Sequence, residues 1–454
     1  MIRYAAWLQF ALIVAIASCA GQTPHPALPP GTAAGRARAR VTPFPITHVV
    51  IIFQENRTPD YLFQGMASHG ADIANQALDS EGQIVPLHKV SLAAPYDLAH
   101  GHVAFLKDCD FQPSGGCKMD GFDIGFLPRF HTRPYGYAPQ DQVQPYLDMA
   151  IQYVFADRMF QSNQAGSFPA HQYIVSGSAN ALPGSQDNVS SDPFNYINGK
   201  KLPAGCDAPQ DAAVDTIDPT NGQPGPTPFP CFDRPVLSDL LDAKGVSWRY
   251  YQNGKGPGLW HALDAVSHVR YGPDYKNVVS PPEDILTDIA AKRLRKVSWV
   301  MPADGQHSDH AGNKSTAGPS WVAAVVNALG ESKYWKSTAI FLTWDDWGGW
   351  YDHVSPPQMG NYYELGFRVP LVVISPYAKV SYVSHTQYEF GSILAFAEET
   401  FGIPKGSLGT TDVRANDLMD AFDFSQSPRP FVQISAPPFV PGKSGSAEFY
   451  AEDP

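Results

Sequence analysis

The sequence predicts an α/β fold, a three-layer α/β/α sandwich in which helices cover both faces of a largely parallel sheet and long loop insertions surround it. Three observations predict it. Apolar, β-branched runs without polar alternation recur along the chain, as strands buried on both faces require. Amphipathic helical stretches stand next to the later runs. Finally, 42 prolines and 38 glycines are spread through 454 residues, which places long irregular connections around a regular centre.

Taken in order, "ITHVVIIFQEN" (46–56) is a strand that ends in polar residues. The helical stretch "PEDILTDIAAKRLR" (282–295) leads to a second strand in "KVSWVMPADG" (296–305), and "SWVAAVVNALGES" (320–332) leads to a third in "STAIFLTWDD" (337–346). "RVPLVVISPYA" (368–378) repeats the plan and precedes the helical "YEFGSILAFAEETFGI" (388–403). In such sheets ligands bind beyond the carboxyl ends of the strands. Glu55-Asn56, Asp345-Asp346 and Asp309-His310 all fall at or just after these ends. Residues 180–232, rich in Pro, Gly, Asp and Asn without periodicity, form an insertion within a catalytic domain spanning 46–425, and 426–454 form a C-terminal tail.

The N-terminus is a targeting segment: Arg3 precedes an apolar stretch, Ala5 to Ala17, too short for a membrane span. Signal-peptide cleavage falls within residues 1–20, and "IASC" (Ile16 to Cys19) resembles a bacterial lipobox with Cys19 as the acylated residue. Residues 21–45 have the Pro/Gly/Ala composition of a tether. The chain is expected to be exported, as a periplasmic, secreted or outer-membrane lipoprotein, and to touch a membrane only through a lipid anchor or a lipid substrate. Setting Cys19 aside leaves Cys109, Cys117, Cys206 and Cys231; the shortest loops pair Cys109 with Cys117 and Cys206 with Cys231. A net charge of -12, with no basic run beyond "GRARAR", excludes nucleic acid as the main partner. The oligomeric state is left open.

Four clusters carry candidate chemistry. Adjacent carboxylates at the end of an apolar strand are costly unless a cation neutralises them, so Asp345-Asp346 suggests a metal site; the alternative is an exposed acidic loop. Successive strand residues point to opposite faces, so both reach one ion only where the backbone turns, which Gly348 and Gly349 allow. Glu55 and Asn56 add hard oxygen donors, although Asn56 also suits a helix N-cap. In "NQAGSFPAHQY" (163–173), Ser167 stands at a helix N-terminus, either as a cap or, beside a metal, as a nucleophile. "DLAHGH" offers His100 and His102, and "GQHSDHAG" offers His307 and His310, imidazoles suited to protonating a leaving oxygen.

These stretches together resemble the phosphoesterase family of bacterial and plant phospholipases C, which also contains bacterial acid phosphatases and lies in the alkaline-phosphatase-like superfamily. The resemblance rests on "ENRTPDYLFQG" (55–65), "SFPAH" (167–171), "DDWGGWYDHV" (345–354) and "GFRVPLVVISP" (366–376), with "CKMDGFD" (117–123) and "SDHAG" (308–312) in support. It implies one divalent metal ion, Ca, Mg, Mn or Zn, bound by Glu55, Asn56, Asp345 and Asp346 and approached by Ser167 as nucleophile. It further implies that His100, Asp309, His310 and His353 line the phosphate site. Two departures stand out: Pro59 replaces a Phe, and Ala170-His171 replaces Asn-Arg after the nucleophile, which leaves open whether His171 takes over a phosphate contact. The implied activity is hydrolysis of a phosphate ester or phospholipid, phospholipase C-like on diesters, with acid phosphatase action on monoesters as the alternative. A surface-tethered binding protein without activity would lack residues that are all present here. A serine esterase would need GxSxG, which does not occur.

Overall fold

A strand can be buried on both faces only inside a covered sheet, and the apolar runs do form one. The structure, a computed structural model, describes residues 45–112, 116–182 and 184–442; the expected signal peptide, Cys19 and most of the tether lie outside them. Its centre is an eight-stranded sheet: β1 (His48–Gln54), β2 (Val154–Ala156), β3 (Trp248–Tyr251), β4 (Val278–Val279), β5 (Val297–Val300), β6 (Thr338–Trp344), β7 (Leu371–Ile374) and β8 (Tyr382–Ser384), in the order β4-β3-β5-β1-β6-β7-β2-β8. Every residue of β5, β6 and β7 is buried, so the sheet is covered on both sides. Helices α1 (His102–Cys109), α2 (Gln140–Gln152), α3 (Ser167–Ser176), α4 (Asp284–Ala290), α5 (Gly318–Gly330) and α6 (Phe390–Thr400) surround it. Among them α5 packs with α2 and α4, and α3 packs with α6.

One strand departs from the expected plan. β7 runs antiparallel to both β6 and β2, while the other pairings in the sheet are parallel. Parallel neighbours need a crossover, usually a helix, whereas the 345–370 segment returns from β6 without one, so the next strand comes back in the opposite sense.

Both expected disulfides are present, Cys109–Cys117 and Cys206–Cys231. The second closes the insertion, whose regular structure is two small antiparallel ladders, Asn188–Val189 with Thr216–Ile217 and Phe194–Asn195 with Ala212–Ala213. The described part of the C-terminal stretch is not a loose tail: Asn327 of α5 exchanges two hydrogen bonds with Ile434, and Phe439 packs against Trp321 at a ring distance of 4.9 Å. No helix among the described residues is long and apolar enough to cross a membrane.

Candidate active site

The register of two neighbouring strands assembles the acidic cluster. β1 and β6 pair in parallel with Gln54 opposite Trp344, so Glu55-Asn56 and Asp345-Asp346 leave the sheet side by side. Asn56 has a left-handed backbone, φ 59°, and its amide N–H donates to Asp345 Oδ1 at 2.9 Å. It caps no helix, since the following turn is capped by Thr58. Gly348 and Gly349, at φ 62° and 69°, turn the chain after Asp346; the Gly348 N–H donates to Asp346 Oδ1 at 2.7 Å. A Cβ on Gly348 would stand 2.3 Å from the Asn56 carbonyl oxygen. Gly348→Ala therefore meets both a disfavoured φ and a backbone clash, and is expected to lower unfolding stability by at least about 2 kcal/mol in a denaturant titration.

Ser167 is the first residue of α3 and does not cap it; the N-cap is Gly166. Its hydroxyl lies 3.2 Å from Asp346 Oδ2 and 3.4 Å from Glu55 Oε2. His171, one turn further on the same helix face, reaches the same place: its Nε2 is 3.1 Å from Glu55 Oε1 and 3.6 Å from Asp345 Oδ2. Glu55, Asp345, Asp346 and His171 are fully buried. Burial, then the Asp345 charge, pushes the Glu55 carboxyl well above its ordinary range. Burial acts the same way on Asp345, but there His171 outweighs it and holds the carboxyl below the usual range. Asn56 Oδ1 and Asp345 Oδ2 are buried and accept no hydrogen bond among the described residues. Crowded buried carboxylates with lone pairs left over are the environment a cation satisfies, and the donors here fit a divalent ion.

The histidines expected at the phosphate divide into two groups. His100 Nδ1 lies 2.6 Å from the Leu98 carbonyl, and since a carbonyl only accepts, the proton is assigned to Nδ1; Nε2 then accepts from Asn56 Nδ2 at 2.8 Å. His310 Nδ1 likewise donates to the Ala311 carbonyl at 2.7 Å, leaving Nε2 on the side of Asp97 Oδ2, 3.9 Å away. The two rings stand 5.8 Å apart, so these residues do gather beside Asn56.

Asp309 and His353 do not join them. The Asp309 carboxylate turns into the core, accepting from Tyr146 Oη at 2.8 Å and Trp344 Nε1 at 3.0 Å, and burial raises its pKa to about 6. His353 has both ring nitrogens engaged, with Asp60 at 2.7 Å and Asp72 at 2.9 Å, in a network that also holds Asp352 against Arg368. Neighbours in a motif share a stretch of backbone, yet their side chains leave it in different directions, and these two point away from the His100–His310 group. Burial lowers the His353 pKa, but the Asp60 hydrogen bond and charge prevail and raise it to about 9. A raised folded-state pKa stabilises fully below the ordinary value of about 6.5 and is lost as pH climbs through about 9. Wild-type stability is thus expected to fall by on the order of 2 kcal/mol across that window, discounted for partial exposure, and His353→Asn to flatten the fall, as measured by denaturation at several pH values.

Three residues at the site went unread in the sequence. Asp97, the residue that opens "DLAHGH", faces His310, and Asp192, which nothing in its local sequence marks, accepts the Phe168 N–H at 2.9 Å at the start of α3. Arg57 donates to the Asn56 carbonyl at 2.9 Å and lies over the Tyr61 and Trp350 rings, bracing the turn. Beside His100 opens a cavity of about 700 Å³, whose wall includes His102, Asp192, Lys201, Asp215 and Tyr362.

The family model described as "Phosphoesterase family" matches residues 46–404. The chain belongs to the phosphoesterase family. As a phosphoesterase it is a hydrolase acting on phosphoric ester bonds. Among similar family proteins, Phospholipase C A of Mycobacterium tuberculosis is 26% identical, covering 84% of this chain and 78% of its own. Non-hemolytic phospholipase C of Pseudomonas aeruginosa is 24% identical over 86% of this chain, which spans 59% of that protein's length. Non-specific phospholipase C1 of Arabidopsis thaliana is 24% identical, covering 85% and 72%. A solved alkaline phosphatase superfamily protein from Vibrio parahaemolyticus, 10% identical with a TM-score of 0.38, covers 82% of this phosphoesterase and 70% of its own chain, a likeness too distant to bear on the site.

Proposed function

We propose that this phosphoesterase cleaves phosphodiesters in the manner of a phospholipase C, using Ser167 as nucleophile in a metal-dependent reaction. The observation that carries the diester reading is the cavity of about 700 Å³ beside His100. A monoester has one alcohol to accommodate, whereas a diester needs a second space on the far side of the phosphorus. The residue 180–232 insertion supplies much of its wall, where Asp192 and Asp215 stand with one lysine, Lys201, a balance of charge suited to a cationic head group.

Glu55, Asn56, Asp345 and Asp346 would hold a divalent cation, which when bound lowers the pKa of the serine hydroxyl and offsets charge on a phosphoryl oxygen. Ser167 Oγ attacks phosphorus; its proton leaves along the existing contact to Asp346 Oδ2. The Oγ–P bond forms and the P–O bond to the departing alcohol breaks. His310, charged, gives the Nε2 proton to that alcohol's oxygen. Asn56, its amide steadied by His100, faces the charge on the equatorial oxygens. Water then attacks the phosphoryl-serine, gives a proton to His310 and, as the Oγ–P bond breaks, Ser167 regains its own.

The second reading is acid phosphatase action, favoured by serine at position 167, the residue that the family's acid phosphatases carry. Hydrolysis of p-nitrophenyl phosphate and p-nitrophenylphosphorylcholine is measured in parallel on metal-replete protein. Turnover mainly of the choline diester is expected; cleavage of the monoester alone would establish the phosphatase instead. The two disulfides support export, because such bonds persist in oxidising compartments.

A further inference from the structure

We propose that His171 is itself a metal ligand, giving the cation site one nitrogen donor among its oxygens and a preference for Mn, Fe, Co or Zn over Ca and Mg. The proposal rests on the metal-dependent reading above and adds to it a residue that the implied ligand set lacks.

Ser167 and His171 are four residues apart on α3, so both side chains leave the same helix face toward the ends of β1 and β6. His171 is 0% exposed, and its Nε2 lies between two carboxylates instead of in line with one, 3.1 Å from Glu55 Oε1 and 3.6 Å from Asp345 Oδ2. One N–H can serve only one of these acceptors well, and Asp345 Oδ2 accepts no hydrogen bond among the described residues. Atoms that ligate one ion at about 2.1–2.2 Å stand about 3.0–3.6 Å apart, from octahedral to tetrahedral geometry. The separations at His171, together with those of Ser167 Oγ from Asp346 Oδ2 (3.2 Å) and Glu55 Oε2 (3.4 Å), all fall in that interval. His171 Nε2, Glu55 Oε1 and Asp345 Oδ2 are thus spaced so that one ion can reach all three, and Ser167 Oγ stands at the same spacing from the other Glu55 oxygen. His171 Nδ1 has no hydrogen-bond partner among the described residues, so the tautomer is set by whatever occupies the Nε2 side. An imidazole among carboxylates moves a site away from Ca and Mg, which take oxygen ligands, toward first-row transition ions and zinc.

The test loads the full chain with Mn(II) and records pulsed EPR. Wild type is expected to show the nitrogen coupling of a directly bound imidazole, to keep it in His100→Asn and to lose it in His171→Asn. In equilibrium dialysis with metal analysis, His171→Asn is expected to lose Zn(II) affinity by at least about 100-fold, a scale that even the outer partners of ligands reach, while Ca(II) affinity changes less than tenfold. Bound Mn(II) without nitrogen coupling in wild type would overturn the assignment and leave His171 as a hydrogen-bond donor to Glu55, with metal dependence intact. No stoichiometric binding of any of these ions would overturn the metal-dependent reading as well. Should His171→Asn fail to fold, the wild-type and His100→Asn spectra decide the matter.

Discussion

Ser167→Ala is expected to lower kcat on phosphodiester and phosphomonoester alike by at least about 10³-fold, with the folded structure and bound metal retained. The hydroxyl is the alcohol nucleophile of the cluster and is directed at two carboxylates, 3.2 and 3.4 Å away. It does not cap α3, so its removal costs the helix little. The effect should therefore appear in kcat and not in the unfolding midpoint. If Ser167 only filled space, the variant would keep most of its turnover, and a steady-state assay with circular dichroism alongside separates the two outcomes.

Removing the cation is expected to have the second large effect. Three carboxylates share one buried pocket, and Asn56 Oδ1 and Asp345 Oδ2 find no donor there. Chelation should reduce activity to background and lower the thermal midpoint, and restoring the ion should reverse both. Binding to the folded state alone stabilises by about 2.7 kcal/mol at a free ion concentration 100 times Kd. Asp345→Asn should show weaker metal stabilisation because it removes a charge from the site. The same variant should lower the stability of the metal-free protein, since His171 holds the Asp345 carboxyl below its usual range and the neutral amide forfeits that interaction. Scanning calorimetry with and without EDTA checks both signs. An unchanged midpoint on chelation would mean that the cluster holds no ion.

The parts of this site legible in the sequence were those where backbone periodicity alone decides. Val49 to Phe53 and Ala339 to Leu342 have no polar alternation because both faces of their strands are buried. An acidic pair beyond such a strand, followed by two glycines, has few places to go. What the sequence did not disclose was direction. The run at Leu371 to Ile374 reads the same whether parallel or antiparallel, since burial sets its composition and the preceding connection sets its sense. β2, with three residues, is too short for any period to show. Asp309 and His353 sit in motifs beside His310 and Asp352, but their side chains serve Tyr146, Trp344, Asp60 and Asp72 instead. His171 was visible as a departure four residues after Ser167; helix spacing puts it on Ser167's face, yet Glu55 and Asp345 come from strands far away in sequence.

The central claim is that Ser167 takes the phosphoryl group covalently. Metal-replete protein is mixed with excess p-nitrophenyl phosphate or the choline diester, quenched in acid within the first turnovers, digested and analysed by mass spectrometry. A phosphoryl or phosphorylcholine adduct on the Ser167 peptide, absent from Ser167→Ala, is the predicted result. Steady turnover with the adduct absent, or with an adduct on another residue, would contradict the account.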